Sequence, residues 1–177
     1  MVAPELLNKV VVHGDRRARI VEVEAYAGGE DAGAHSYRGM TRRNATMFGP
    51  AGRLYVYFTY GMHWCANAVC GDVGEGVAVL LRAAAPLDGI DAMRTARGRA
   101  VRRDRDLCSG PAKLCQALGI DGAFDGADLV SADRGITIVD DGVPPPEAPA
   151  SSTRIGLSAG TEYPWRWYVP GDPNVSR

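Results

Sequence analysis

Apolar and polar residues alternate most clearly from Ile20 to Glu24, where β-forming Ile20, Val21 and Val23 are interleaved with Glu22 and Glu24. Gly28 and Gly29 close the run. A strand of period two puts Glu22 and Glu24 on one face and Val21 and Val23 on the other, so the apolar face meets a core while the acids face a cleft or water. Leu6 to Val12 predicts a preceding strand, and His13-Gly14-Asp15 supplies the turn of a hairpin, with His13 read as a turn residue. Leu54 to Asn67 is aromatic and β-branched but broken by Tyr60-Gly61-Met62, which predicts two strands joined by a tight turn with a large aromatic at its tip. Val77 to Arg82 is a continuous apolar run ending in Arg, the pattern of a buried central strand.

Helical signals come later in the chain. Asp88 to Arg105 predicts a helix running into a basic loop that carries Arg94, Arg97, Arg99, Arg102, Arg103 and Arg105. Ser109-Gly110-Pro111-Ala112-Lys113 is a helix start, with the helix continuing to Leu118 and stopping at Gly119. Asp140 to Ser152, with four prolines, reads as a surface loop. Arg154 to Val169 reads as two short strands around Pro164, with Trp165, Trp167 and Tyr168 assigned to core and sheet. The whole is a single domain over residues 1–177 of the mixed α/β (α+β) class, with a curved, largely antiparallel sheet, flanking helices and a protruding hairpin.

Composition narrows this further. A chain of 177 residues that is 46% hydrophobic fits one domain with a sizeable core. A formal net charge of -1 excludes attraction of the whole molecule to a polyanion, so any contact with nucleic acid has to be local. The basic residues are nearly all Arg, with Lys only at Lys9 and Lys113. Cys65, Cys70, Cys108 and Cys115 form no Cys-x-x-Cys pair and have no His at zinc-finger spacing, so they are expected as reduced, mostly buried thiols without a metal. No stretch approaches transmembrane length and no apolar signal core opens the chain, so a cytoplasmic location without membrane contact is expected.

Candidate chemistry starts from the acids. One of them, Glu24, is the candidate catalytic base, and Arg82 at the end of a buried strand requires a carboxylate partner, for which Glu24 is well placed. Tyr55 and Tyr57 share a strand face, so at least one can line the same cleft. A tyrosine at an exposed hairpin tip is poorly placed for a core, and bulky side chains in such positions serve as wedges between base steps. The polar segment from Ser36 to Pro50, with Arg38, Arg42, Arg43 and Asn44, reads equally as a solvated loop or as a phosphate-contacting one. The free amides of the helix start at residues 109–113, with Lys113, are suited to a phosphate.

Glu-Ala-Tyr at 24–26, Ala-His-Ser at 34–36, Arg43-Asn44, Met47-Phe48, Leu-Tyr-Val-Tyr at 54–57 and Tyr60-Gly61-Met62 stand in one order with Asn67, Leu-Leu-Arg-Ala at 80–83 and Gly-Pro-Ala-Lys-Leu at 110–114. With Arg154-Ile155-Gly156 and Trp167-Tyr168-Val169, this ordered set resembles the alkyladenine (3-methyladenine) DNA glycosylase family over nearly the whole chain. The resemblance implies an enzyme that flips alkylated or deaminated purines (the 3-methyladenine, 7-methylguanine, hypoxanthine and ethenoadenine class) out of double-stranded DNA. It hydrolyses the N-glycosidic bond with an activated water, leaves an abasic site and needs no metal or cofactor. By position, Glu24 would be the general base, and Arg82 would hold the water and keep Glu24 ionised. Tyr26 and Tyr57 would stack on the flipped base, His35 would close the pocket and hydrogen-bond to it, and Asn67 would exclude the exocyclic amino group of guanine. Tyr60, with Met62 beside it, would fill the gap in the duplex, while Arg43 and Lys113 would contact the backbone.

Backbone cleavage by a glycosylase proceeds through an amine that forms a Schiff base, and with only two lysines a monofunctional enzyme without lyase activity is expected. A monomer is expected as well. Two other classes remain distinct: a non-catalytic nucleic-acid-binding module, which would bind DNA without releasing base, and a hydrolase of free nucleosides, which would leave the wedge and the basic loop without purpose.

Overall fold

The computed structural model describes residues 1–98 and 101–176. In chain order the helices and strands are α1 (Val2–Glu5), β1 (Val10–His13), β2 (Arg16–Ala27), β3 (Leu54–Thr59), β4 (His63–Cys70), β5 (Val77–Asp88), α2 (Ile90–Arg97), α3 (Pro111–Leu118), β6 (Ile136–Val139), β7 (Ala150–Ser152) and β8 (Arg166–Tyr168). Among the described residues the strands form one sheet in which β3, β4, β5, β2, β1 and β6 lie side by side, and every pairing is antiparallel.

The spine is the pair of long strands β2 and β5. Along its other edge β2 has two successive partners, β1 at Arg16 to Arg19 and β8 at Glu22 to Glu24. One strand serving two partners has to bend, and the β2–β5 register shifts between Ile20 and Glu22 and again between Glu22 and Val23. Val21 on β2 and Arg82 on β5 are the extra residues at these shifts. Bulges of this kind increase local twist and re-aim side chains, and the sheet curls accordingly.

Period-two alternation divides the two faces by chemistry. Val23, Leu54, Val56, Ala66, Ala68, Val79 and Leu81 belong to the main apolar cluster, together with Met93 of α2 and Leu114, Cys115 and Leu118 of α3. The intervening positions, Glu22, Glu24, Tyr55, Tyr57, Cys65, Asn67, Leu80 and Arg82, therefore point away from the helices. Helix α3 starts at Pro111 and ends at Gly119 in a left-handed conformation, as its sequence predicts.

Several expectations are corrected. The segment Leu6 to Val12 is not one strand, because α1 and a turn occupy residues 2–8 and β1 begins at Val10. His13 is a strand residue paired with Arg16, leaving Gly14-Asp15 as the turn; its ring packs edge-on to Phe124 and its Nδ1 lies 2.7 Å from the Leu118 carbonyl. Arg82 sits in the middle of β5, since the apolar run continues through Ala83, Ala84 and Ala85. Residues 150–152 of the supposed loop pair with β8. Of the two strands expected around Pro164 only β8 forms, and the residues before it make a loop with a different task. Within the basic stretch Arg94 and Arg103 are ion-paired with Asp104 and Asp106, while Arg99 lies outside the described residues. No helix among the described residues is long and apolar enough to cross a membrane.

Leu81 is fully buried at the centre of the spine. Leu81→Ala should lower stability by about 2 to 5 kcal/mol, read from the urea midpoint, because the packed helices leave a cavity that the sheet cannot close.

Candidate active site

Glu22 and Glu24 share a face as the alternation predicts, but both are fully buried rather than solvated. Arg82 makes this possible by lying between them, with Nε 3.1 Å from Glu22 Oε1 and Nη1 3.4 Å from Glu24 Oε1. The Nε contact is too poorly aligned to be a hydrogen bond. Glu22 is satisfied elsewhere: Arg166 Nε donates at 2.6 Å, and Ser176 donates from its backbone N–H at 2.6 Å and its hydroxyl at 2.8 Å. Glu24 accepts from the Ile155 N–H at 2.8 Å and from the Tyr26 hydroxyl at 3.0 Å. Burial raises the Glu24 pKa above its ordinary value, and Glu22 adds to this; Arg82, Ile155 and Tyr26 oppose the rise without cancelling it.

Glu24 and Arg82 line a cavity of about 300 Å³. Tyr26, His35, Tyr55, Tyr57 and Asn67 line it as well, and Tyr60 stands at its edge. The cavity thus gathers the acid, the guanidinium and the aromatics that the sequence singled out. Tyr55 and Tyr57 stack at 5.5 Å between ring centroids, and His35 meets Tyr57 edge-on at 4.4 Å. Tyr55 is buried and is pushed up to about 12 by that burial, whereas Tyr57 is only half-buried and presents ring surface to the cavity. Desolvation and the nearby Arg43 lower the pKa of His35, so its imidazole is neutral at pH 7. Asn67 is held by donation from Nδ2 to the Tyr55 carbonyl at 3.3 Å.

The hairpin of β3 and β4 turns through Tyr60 and Gly61, whose φ angles are +50° and +66°. Two consecutive left-handed residues define the turn that matches strand twist, and for Tyr60 that conformation costs about 1 to 2 kcal/mol. The strained tyrosine is 81% exposed and Met62 beside it 68% exposed, so neither side chain recovers the cost by packing. Arg43 donates to the Phe58 carbonyl at 2.7 Å and ties the loop at 36–44 to this hairpin. Lys113 is outside the cavity, in a smaller recess with Arg103, Arg105 and Ser109, while Pro111 of the same helix start lines the cavity.

Asp31, Arg154 and Ile155 carry structural weight that alternation and composition do not reveal. Asp31 and Arg154 form a fully buried two-pronged ion pair, with Arg154 Nη2 2.7 Å from Asp31 Oδ1 and Nη1 on Oδ2. Burial tends to raise the Asp31 pKa, but Arg154 and the N–H groups of Gly33 and Ala27 outweigh it and hold the carboxyl below the ordinary range. A Cβ at Gly33 or Gly160 would come within 2.9 Å of Arg154 Nη2, so both positions have to be glycine for the guanidinium to fit. The available signal was an Asp in a Gly-rich loop together with a distant Arg; nothing local pairs them.

The family model for "Methylpurine-DNA glycosylase (MPG)" matches residues 1–173, and the chain belongs to that family. It is accordingly a DNA glycosylase, an enzyme of base-excision repair. A relative from Burkholderia lata, named "Putative 3-methyladenine DNA glycosylase", is 62% identical over 176 residues, covering 99% of this chain and 84% of its own. Relatives of the same name from Streptomyces avermitilis and Chlorobaculum parvum are each 46% identical, with the same coverage.

A carboxyl whose folded pKa is raised adds stability that is full below its unfolded pKa and is lost as pH rises through the folded one. Glu24→Gln should therefore have a higher urea midpoint than the native protein at neutral and alkaline pH. The difference should close at acid pH, where Glu24 is already protonated.

Proposed function

We propose that this glycosylase excises N-alkylated purines, the 3-methyladenine class, by water attack in the cavity beneath Glu24. The observation that carries the reading is the buried Glu24 carboxylate among aromatic rings, with Arg82 at 3.4 Å. In this mechanism the damaged nucleotide leaves the duplex and Tyr60, with Met62, takes its place in the stack. Extrusion costs a few kcal/mol, and each aromatic contact with the flipped base returns about 1 to 3 kcal/mol. Tyr26 and Tyr57 supply two such contacts. Glu24 takes the proton of a water as its oxygen bonds to C1′, and the glycosidic electron pair leaves with the base. A carboxylate in this role contributes on the order of 10²- to 10⁴-fold, most efficiently when its pKa has risen toward the working pH. Its charge also favours the cationic character that develops on the sugar. Arg43 and Lys113 engage the phosphate backbone on either side, and Asn67 discriminates against the amino group of guanine.

Two features support hydrolysis without strand cleavage. Lys9 is ion-paired with Asp140 at 2.7 Å, and Lys113 lies outside the cavity. Proton supply favours alkylated over neutral bases. Among the described lining residues, His35 is neutral at pH 7, and burial raises the pKa of Tyr26, Tyr55, Tyr57 and Cys65. None of these groups is a strong acid at neutral pH. A purine alkylated at N3 or N7 already carries positive charge and leaves as a neutral molecule, whereas hypoxanthine has to gain a proton.

Release of free base from duplex oligonucleotides tests the reading. Native protein should release methylated purine without forming a borohydride-trapped adduct, and Glu24→Gln should lose about 100-fold or more in single-turnover rate while retaining DNA binding. Binding without release by the native protein would overturn it. Hypoxanthine should leave more slowly than methylated purine, with the gap narrowing as pH falls toward the Glu24 pKa; equal rates at neutral pH would place an acid in the site.

A further inference from the structure

Glu24 owes one of its hydrogen bonds to a backbone amide, and what fixes that amide is a second buried ion pair. Arg154 ties the loop before β8 to the site. Besides gripping both oxygens of Asp31, its guanidinium donates to the Ala25 carbonyl on β2 at 2.9 Å and to the Gly160 carbonyl at 2.9 Å. Its plane also lies against two rings, with Cζ 4.8 Å from the centroid of Tyr26 and 5.1 Å from that of Trp165. One side chain thus ties together the Gly-rich loop after β2, the strand that carries Glu24, and the segment Ile155 to Leu157 that lines the cavity. The residue after it donates to Glu24.

We propose that Asp31 and Arg154 are positioning residues: a buried clamp that holds the Ile155 N–H on Glu24 and backs the Tyr26 ring, so that base and stacking surface stay in their reactive places. The proposal rests on the reading of Glu24 as the base. A guanidinium suits the task because the four N–H groups of its two terminal nitrogens, held in a rigid plane, satisfy two carboxylate oxygens and two carbonyls while its face packs on aromatic rings. Neither clamp residue touches the reacting atoms; the clamp acts through Ile155 and Tyr26. Misplacement of a catalytic group by about 1 Å costs up to about 100-fold in rate.

Removing one partner leaves the other charge buried and alone, so Asp31→Asn can fail by unfolding. Asp31→Leu/Arg154→Met removes both charges while keeping similar volume, and it is the deciding variant. Two quantities are read on this protein and on the native one: the carboxyl ¹³C titration of Glu24 by NMR, and the single-turnover rate of base release with affinity for abasic-site DNA. The groups that face Glu24 are Arg82 on β5, Glu22 and Tyr26 on its own strand, Cys65 on β4, and the Ile155 N–H with Arg154 behind it. Of these, the Ile155 N–H, Arg154 and Tyr26 are disturbed directly, and Arg82, Glu22 and Cys65 are not.

The clamp predicts a folded double variant in which the Glu24 titration moves to higher pH. The release rate should fall about 10- to 100-fold with DNA affinity unchanged. A purely structural pair would lower thermal stability and leave both readouts native below the melting temperature. A Glu24 titration that stays put in the folded variant overturns the proposal. Failure of the base reading is a separate result, seen as a native release rate in Glu24→Gln, and the titration then still decides whether the clamp holds the carboxylate.

Discussion

Two carboxylates two residues apart on one buried strand are tolerable only if guanidinium groups meet them. Glu22, Glu24 and Asp31 are all fully buried, and Arg82, Arg154 and Arg166 are nearly so, a balance of three charges against three. Desolvation of a single ion costs several kcal/mol, which leaves no room for an unmatched member. Much of the irregular structure follows from that constraint. The bulge at Arg82 breaks the β2–β5 ladder where a guanidinium has to reach both acids. The end of the chain comes back so that Ser176 can donate twice to Glu22. The loop before β8 folds over Glu24 so that Ile155 can donate once.

Matching is unequal, and the inequality separates the roles. Glu22 has a guanidinium at hydrogen-bond distance and two further donors. Glu24 has a more distant guanidinium, one amide and one hydroxyl, and its pKa rises. A fully satisfied carboxylate is a structural anion, while an undersatisfied one at a cavity wall has affinity for a proton. The same sheet face therefore holds a structural carboxylate and the proposed base, and Arg82 joins them.

The legible part of this protein was the part written in local periodicity. Alternation placed Glu24 on one face with Glu22 and Tyr57 on one face with Tyr55, and the Tyr60-Gly61 turn is marked by its glycine, whereas Asn67 is singled out only by the family resemblance. The apolar run ending at Arg82 named the right partner for Glu24, though the strand continues past it because Ala83 to Ala85 are small enough to stay buried. Burial of both acids was not legible, since period two says which residues share a face and not whether that face sees water. Nor was the Arg154 loop: its sequence has strand-like and aromatic residues, but its conformation is set by Asp31, 123 positions earlier. Long-range charge pairing leaves no periodic trace.

Stability and the proposed activity pull against each other at two points, and each is local. Tyr60 is held left-handed and exposed at the hairpin tip, with no packing to offset the strain. Glu24 is fully buried at the cavity wall, and desolvation raises its pKa. A protein selected only to fold would place glycine or asparagine at the first position and a neutral side chain at the second. Both departures sit at the mouth and the wall of one cavity, while the apolar cluster under α2 and α3 contains neither strain nor charge. Two costs that have no use in folding converge on one 300 Å³ space, and that convergence supports the proposed excision of a base there.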